Sequence, residues 1–205
     1  MLQMWSYAFL ACLTLGHVSL GTATGVVINR APVRVLGVNG FSWSNCGAET
    51  LPGKIQALTI LPDPLVIPGE MTTSVILNTT VGLTSPVKIA VTAQKEMVGK
   101  WLTIPCLDGF GSCTYDDFCD NLDQMILPGL PCPEPLRSYG IPCHCPFQPG
   151  TYYLPVSQFY IPSLSLPYWF TDGNYRLTIV VSSGGQEVGC GEITFSLVAS
   201  LSQWL

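Results

Sequence analysis

Eight cysteines between Cys46 and Cys190 are the densest reactive chemistry in this 205-residue chain. They are Cys46, Cys106, Cys113, Cys119, Cys132, Cys143, Cys145 and Cys190. Cys143-His144-Cys145 gathers two thiols and an imidazole, but without the Cys-x-x-Cys spacing of structural zinc knuckles, so no metal is expected. A Ser or Cys nucleophile needs a neighbouring base. Beyond the N-terminal leader the histidine available is His144, flanked by two cysteines that an oxidising compartment would bridge. Thirteen acidic residues leave a carboxylate pair for glycoside hydrolysis open, since that chemistry requires no histidine. No phosphate-binding Gly-x-x-x-x-Gly-Lys loop or dinucleotide fingerprint is present. The glycines of Ser182-Ser183-Gly184-Gly185 read as a hairpin turn. The residues therefore predict no nucleophilic triad and no cofactor, and leave only the carboxylate chemistry open.

The first residues explain why the cysteines should be oxidised. An apolar run from Tyr7 to Leu15 is followed by the small residues Gly21-Thr22-Ala23-Thr24-Gly25, as in a cleaved signal peptide. Residues 1–23 are taken as that peptide, 24–39 as an N-terminal segment and 40–205 as one folded domain. A signal anchor is the competing reading, disfavoured because the run is shorter than the ~20 apolar residues that span a bilayer. Cleavage also removes Cys12, and an even set of eight in an exported chain reads as four disulfides. Spacing alone leaves their connectivity open among 105 possibilities.

Composition narrows the partners. Only 10% of residues are charged, against about 25% in ordinary domains, and the mean hydropathy is +0.40. So much apolar matter points to something apolar being held or touched. Eight basic residues against thirteen acidic ones, with no basic cluster, exclude the footprint of nucleic-acid binding.

Seventeen prolines and twenty glycines separate short β-rich runs, which suits an all-β domain. Residues 87–92, 175–181 and 193–198 alternate as half-buried strands should, and 55–61, 73–81, 98–104 and 151–161 are weaker strands. These seven or eight strands suffice for two packed sheets. Thr114, with Asp117 three positions on, predicts a capped helix that puts Phe118, Leu122 and Met125 on one face and ends at Pro128-Gly129. Asp116, Asp120 and Asp123 then form a solvated face, because they lack the spacing of a calcium loop. Six cysteines and five prolines between Cys106 and Cys145 predict a stapled, irregular cap. Cys46 and Cys190 lie near the ends of the mature chain. The sequon Asn78-Thr79-Thr80 predicts a glycan on an exposed edge, with an unused sequon as the alternative.

A resemblance enters through longer words. Gly40-Phe41-Ser42-Trp43-Ser44-Asn45-Cys46, Leu61-Pro62-Asp63-Pro64, Ile104-Pro105-Cys106, Cys132-Pro133-Glu134-Pro135-Leu136-Arg137 and Tyr139-Gly140-Ile141-Pro142-Cys143-His144-Cys145-Pro146-Phe147 resemble the ganglioside activator family. So do Leu166-Pro167-Tyr168-Trp169 and Thr171-Asp172-Gly173-Asn174-Tyr175-Arg176, and the likeness spans residues 40–200. It implies a β-cup of about eight antiparallel strands enclosing an apolar lipid cavity, with one short helix and a disulfide cap. It also implies the pairs Cys46–Cys190, Cys106–Cys113, Cys119–Cys145 and Cys132–Cys143. The implied activity is non-enzymatic: lifting GM2 ganglioside or a related glycolipid from a membrane and presenting it to β-hexosaminidase A. The implied location is the lysosome lumen, reached by the secretory pathway, with the extracellular space as a second station.

Physics adds a constraint on such a carrier. Some thirty buried methylenes amount to ~24 kcal/mol relative to water, beyond the practical ceiling of non-covalent affinity. The lipid must therefore be loaded in transient contact with the membrane surface, and the rim should be apolar. The resemblance places a mobile apolar loop at Met97-Val98-Gly99-Lys100-Trp101, and Trp169-Phe170 supplies a second aromatic pair suited to an interface. A core position is the competing reading for either tryptophan. One departure stands out, because the cations that precede the last cysteine in related activators are replaced by Gln186 and Glu187. A carrier of another glycolipid or phospholipid, without hexosaminidase activation, is the alternative function.

Overall fold

The computed structural model describes residues 40–107, 109–162 and 172–199. Along the chain these form β1 (Ser42–Asn45), β2 (Gly53–Leu61), β3 (Leu65–Ile67), β4 (Gly69–Thr79), β5 (Val87–Met97), β6 (Lys100–Thr103), β7 (Thr114–Tyr115), α1 (Phe118–Met125), β8 (Gly150–Ile161), β9 (Gly173–Ser183) and β10 (Gln186–Ala199). The fold is all-β with one short helix, as expected.

Alternation decides which faces turn inward. In β5, Val87, Ile89, Val91 and Ala93 share one side while Lys88, Thr92 and Gln94 take the other. Val87 and Ala93 are almost fully covered. Register carries the same face across the neighbours, for Val91 pairs with Ile179 and Ala93 with Leu177, while Ile179 and Leu177 pair with Gly191 and Ile193 of β10.

The hydrogen-bonded path runs β6-β5-β9-β10-β2-β4-β8, but its middle link is a single parallel bridge, Gly189 to Gly53. The molecule is therefore two sheets meeting at a corner. One holds β2, β4 and β8; the other holds β6, β5, β9 and β10. Glycine is required at the corner, because a Cβ on Gly53 would stand 2.7 Å from the Val188 carbonyl oxygen. The far edge of β10 is completed by β1, antiparallel, and by β3, parallel. The pairings within each sheet are antiparallel, as expected, and among the described strands only the links of β10 to β2 and β3 are parallel. The β3 link forms where the chain between Pro62, Pro64 and Pro68 passes β10 without a hairpin return.

The Gly184-Gly185 hairpin forms as expected, with both residues at positive φ (60° and 78°). Strand ends moved: β4 starts at Gly69 rather than residue 73, and β6 is confined to Lys100–Thr103 by the β5–β6 turn. The short strands β1, β3 and β7 were not expected, since runs of two to four residues carry too little alternation to be seen.

The helix start differs too. Thr114 lies in β7, paired with Ala90, and Asp117 is the cap, its Oδ1 accepting from Cys119 N at 3.0 Å. Asp117 wins because its carboxylate also accepts from Val87 N at 3.1 Å and from the Ser85 hydroxyl, tying α1 to the start of β5. Of the apolar face, Phe118 and Leu122 are partly covered but Met125 is exposed. Asp123 is not simply solvated, for its Oδ1 lies 2.7 Å from His144 Nδ1.

Disulfides join Cys46 to Cys190, Cys106 to Cys113, Cys119 to Cys145 and Cys132 to Cys143. The first spans 144 residues and ties β1 to β10, worth ~5 kcal/mol by loop entropy. The last two clamp the cap around α1.

Candidate lipid-binding cavity

The two sheets stand apart at one end and touch at the other. At the filled end Leu65, Ile67, Ala93, Ile104, Tyr175 and Leu197 form a packed cluster, with Ile60, Met71 and Phe195 against it. The Tyr175 and Phe195 rings stack with centroids 5.9 Å apart. Burial holds the Tyr175 hydroxyl well above its usual pKa, with Asp172 adding to the shift. Lys95, its ammonium 5.4 Å from the Tyr175 ring centre, is pushed down by burial against the opposing pull of Asp172.

At the other end lies a cavity of about 480 Å³. The three-strand sheet contributes Ile55, Leu58, Val75, Leu77 and Tyr152, and the four-strand sheet Val87, Ile89, Ile179, Val181 and Ile193. Phe118, Ile141 and Phe147 close it from the cap. Leu77 shows how open it is: paired with Ile55 and Tyr152, which also line the cavity, it is 41% exposed.

The polar residues in the wall are already engaged. Asn45 clasps Ile55, its Oδ1 accepting from the amide and its Nδ2 donating to the carbonyl, both at 2.8 Å. Lys54 Nζ donates to Ala48 O at 3.2 Å, Asn78 Nδ2 to Thr151 Oγ1 at 2.9 Å, and Thr79 Oγ1 to Val81 O at 2.8 Å. Among the described residues no Asp, Glu or His lines the cavity. Such a wall can desolvate hydrocarbon.

The residues singled out in the sequence do not gather here. Met97 and Val98 lie at the β5–β6 turn, eight residues along β5 from Ile89 in the cavity wall and so roughly 26 Å away by strand rise. Met97 is 49% exposed and Val98 fully exposed. Trp101 pairs with Glu96 on the outer face of the sheet, where the Arg176 guanidinium sits 4.2 Å from its ring centroid. That position is neither of the two expected for it. Around it runs a polar band the sequence did not signal: Asn174 Nδ2 donates to Glu96 Oε2 at 2.8 Å, and Ser196 Oγ donates to Asn174 Oδ1 at 2.7 Å. Asn78 is not at an exposed edge but on the central strand of the three-strand sheet. Trp169 and Phe170 lie outside the described residues. Strand alternation marked the cavity residues as inward-facing, but nothing in it told which inward positions have a neighbour and which have a void.

A hollow, disulfide-clamped β-sandwich with an apolar wall defines the class, and comparison with known proteins agrees. The ML-domain model matches residues 40–197, and the chain belongs to the ML-domain family. Within it, the chain is 51% identical over 168 residues to the ganglioside GM2 activator of Macaca fascicularis, covering 82% of this chain and 87% of that one. It is 49% identical over 166 residues to the ganglioside GM2 activator of Mus musculus, covering 81% and 86%. A solved Niemann-Pick type C2 protein from Japanese carpenter ant aligns over 78% of this chain and 99% of its own at 12% identity, with a TM-score of 0.39, too low to carry weight.

Proposed function

We propose that this chain is a non-enzymatic lipid carrier that lifts GM2 ganglioside from membranes and presents it to β-hexosaminidase A in the lysosome lumen. The carrying observation is the cavity, an apolar wall around about 480 Å³ whose polar members are hydrogen-bonded to the protein itself. The relatives' name, ganglioside GM2 activator, supports the ligand and the activating role. Residues 1–23 act as the export leader and residues 40–205 as the carrier domain, while the sequon at Asn78, a residue of the cavity wall whose Nδ2 is bonded to Thr151, goes unused.

Contact with the bilayer needs an exposed apolar tip, and Met97 and Val98 supply one at the β5–β6 turn, away from the cavity. Val98 sits at φ 51° as the first residue of a two-residue turn with Gly99. A β-branched residue in the left-handed region costs ~1 to 2 kcal/mol that Asn or Gly would avoid. An apolar side chain held there in full exposure is what a membrane-touching tip requires. Trp169 and Phe170 are further candidates for membrane contact on their residue types alone.

A second reading, a carrier of another glycolipid or phospholipid that never meets hexosaminidase, is favoured by the cavity wall, whose polar side chains are bonded to the protein itself and so select no particular headgroup. Reconstituting the purified protein with GM2 liposomes and β-hexosaminidase A at acid pH separates the readings. Stimulated release of N-acetylgalactosamine is expected. Lipid extraction without stimulation would favour the second reading, and no extraction would overturn both.

A further inference from the structure

We infer that the cap carries its own lipid-surface docking element, a rigid apolar prong formed by Met125, Leu127 and Leu130 beside the cavity. The inference rests on the lipid-carrier reading and concerns how the cavity end of the molecule meets a membrane. Helix α1 ends as Ile126 N donates to Leu122 O at 2.8 Å, and Leu130 N then closes a turn on Leu127 O at 3.1 Å. Pro128 occupies the second position of that turn and Gly129, at φ 89°, the third, the arrangement of a type II turn. The two leucines thus flank the tip. They are 62% and 56% exposed, and Met125 is 78% exposed.

Three features select a bilayer over a protein as the occupant. Residues 124–133 carry no charged side chain at all, so the surface offers no salt bridge and almost no side-chain hydrogen bond to a protein partner, whose interfaces depend on both. Pro128, Pro131 and Pro133 lack N–H groups and the Ile126 and Leu130 amides are satisfied internally, which limits the backbone polarity that would be dehydrated at a lipid interface. The prong is also continuous with the site: α1 carries Phe118 and the clamped cap carries Ile141, both in the cavity wall. Cys119–Cys145 and Cys132–Cys143 fix the two flanks of the segment, so docking it requires little ordering. The neighbouring acids are mostly engaged, Asp117 by Ser85, Val87 and Cys119, Asp123 by His144 and Asp116 by Lys88 at 3.6 Å. That leaves Asp120 as the main reason to prefer zwitterionic over anionic lipid.

The test is flotation of the full protein with phosphatidylcholine vesicles, alongside binding of a fluorescent fatty acid supplied in detergent, which reports the cavity without a membrane. Leu127→Asp/Leu130→Asp should lower vesicle partition by roughly tenfold per leucine while leaving fatty-acid binding unchanged. Leu130→Trp, which needs no loss of apolar area, should raise partition several-fold and keeps the proposal testable if the double variant misfolds. Unchanged partition in both variants would overturn the proposal. So would a wild type that binds the fatty acid but not vesicles, which leaves the carrier reading intact. Loss of hexosaminidase stimulation with vesicle partition retained would assign the prong to a protein partner instead. Failure of the fatty-acid arm in the wild type would sink the carrier reading and the prong with it.

Discussion

The two ends of the sandwich are built from the same strands and the same alternation, yet one is packed and the other hollow. β5 and β9 run through both: Ala93 and Tyr175 are 3% and 2% exposed in the packed cluster, while Ile89 and Ile179 face the cavity a few residues away. The difference lies in what crosses the gap. At the packed end β3 and Ile104 bring Leu65, Ile67 and Ile104 into the cluster, and Tyr175 and Phe195, cross-strand neighbours on β9 and β10, stack beside them. At the hollow end the gap is spanned by the disulfide-clamped cap, which roofs the space with Phe118, Ile141 and Phe147 without filling it. Packing at one end supplies rigidity that lets the other stay open. An unfilled apolar void forfeits dispersion contacts and cohesion, so a protein with this one leans on its covalent bridges.

Truncation should expose that contrast most strongly. Tyr175→Ala removes a ring buried in the cluster and should lower stability by about 3 to 5 kcal/mol, whereas Ile179→Ala, which enlarges an existing cavity, should fall at or below the lower end of the ~2 to 5 kcal/mol expected of a packed isoleucine. Chemical denaturation of both variants checks this. Equal losses would mean that the cavity end is as tightly packed as the cluster.

Enlargement reverses the contrast. Ala93→Leu forces extra methylenes into the cluster and should cost about 1 to 3 kcal/mol, while Ile89→Phe should be accommodated with less than ~1 kcal/mol of loss but should weaken lipid binding by filling the space the chain occupies. Thermal melts and a lipid-binding titration on the same two proteins read both effects.

The link between cap and sheet gives a pH test. The Asp117 carboxyl is held below its usual pKa chiefly by the Ser85 hydroxyl, helped by the Val87 and Cys119 amides and opposed by burial. A lowered folded pKa contributes stability that is fully present above the unfolded value of about 4 and is lost as pH falls through the lower folded value. Melting temperature should therefore be level through pH 5 and fall in that acid range, and Asp117→Asn should flatten the fall. An identical acid limb in the variant would remove Asp117 from the linkage.

The smallest effect is expected at Trp101. Because it is half-buried on the outer face beneath Arg176, whose Nε is itself buried, Trp101→Ala should cost about 1 kcal/mol, the worth of a partly covered cation–π contact. A loss of several kcal/mol in denaturation would place its ring in a packed environment.

Much of this was legible in the sequence. Alternation located β5, β9 and β10, the even cysteine count implied the bridges, and Gly184-Gly185 announced its turn. The resemblance, not the spacing, supplied the disulfide pairs. What stayed hidden depends on long-range geometry. The parallel link of β3 to β10 follows from where three prolines leave the chain, and the outward direction of Trp101 follows from β6 register, which slips by a face for each residue the turn is shifted. Thr114 lost the helix cap to Asp117 because the latter's partners Ser85 and Val87 come from about thirty residues earlier. The cavity was least legible, since a void is set by the separation of two sheets and leaves no mark on the alternation of either.

Photo-crosslinking puts the central claim, that hydrocarbon sits in the cavity at the cap end, under direct test. A GM2 analogue bearing a diazirine at the end of its acyl chain would be loaded, irradiated and mapped by peptide mass spectrometry. Cross-links should fall on peptides containing Leu58, Leu77, Phe147 or Ile179, all in the cavity wall. Cross-links confined to the outer face around Trp101 and Arg176, or none at all in protein that has extracted the lipid, would contradict it.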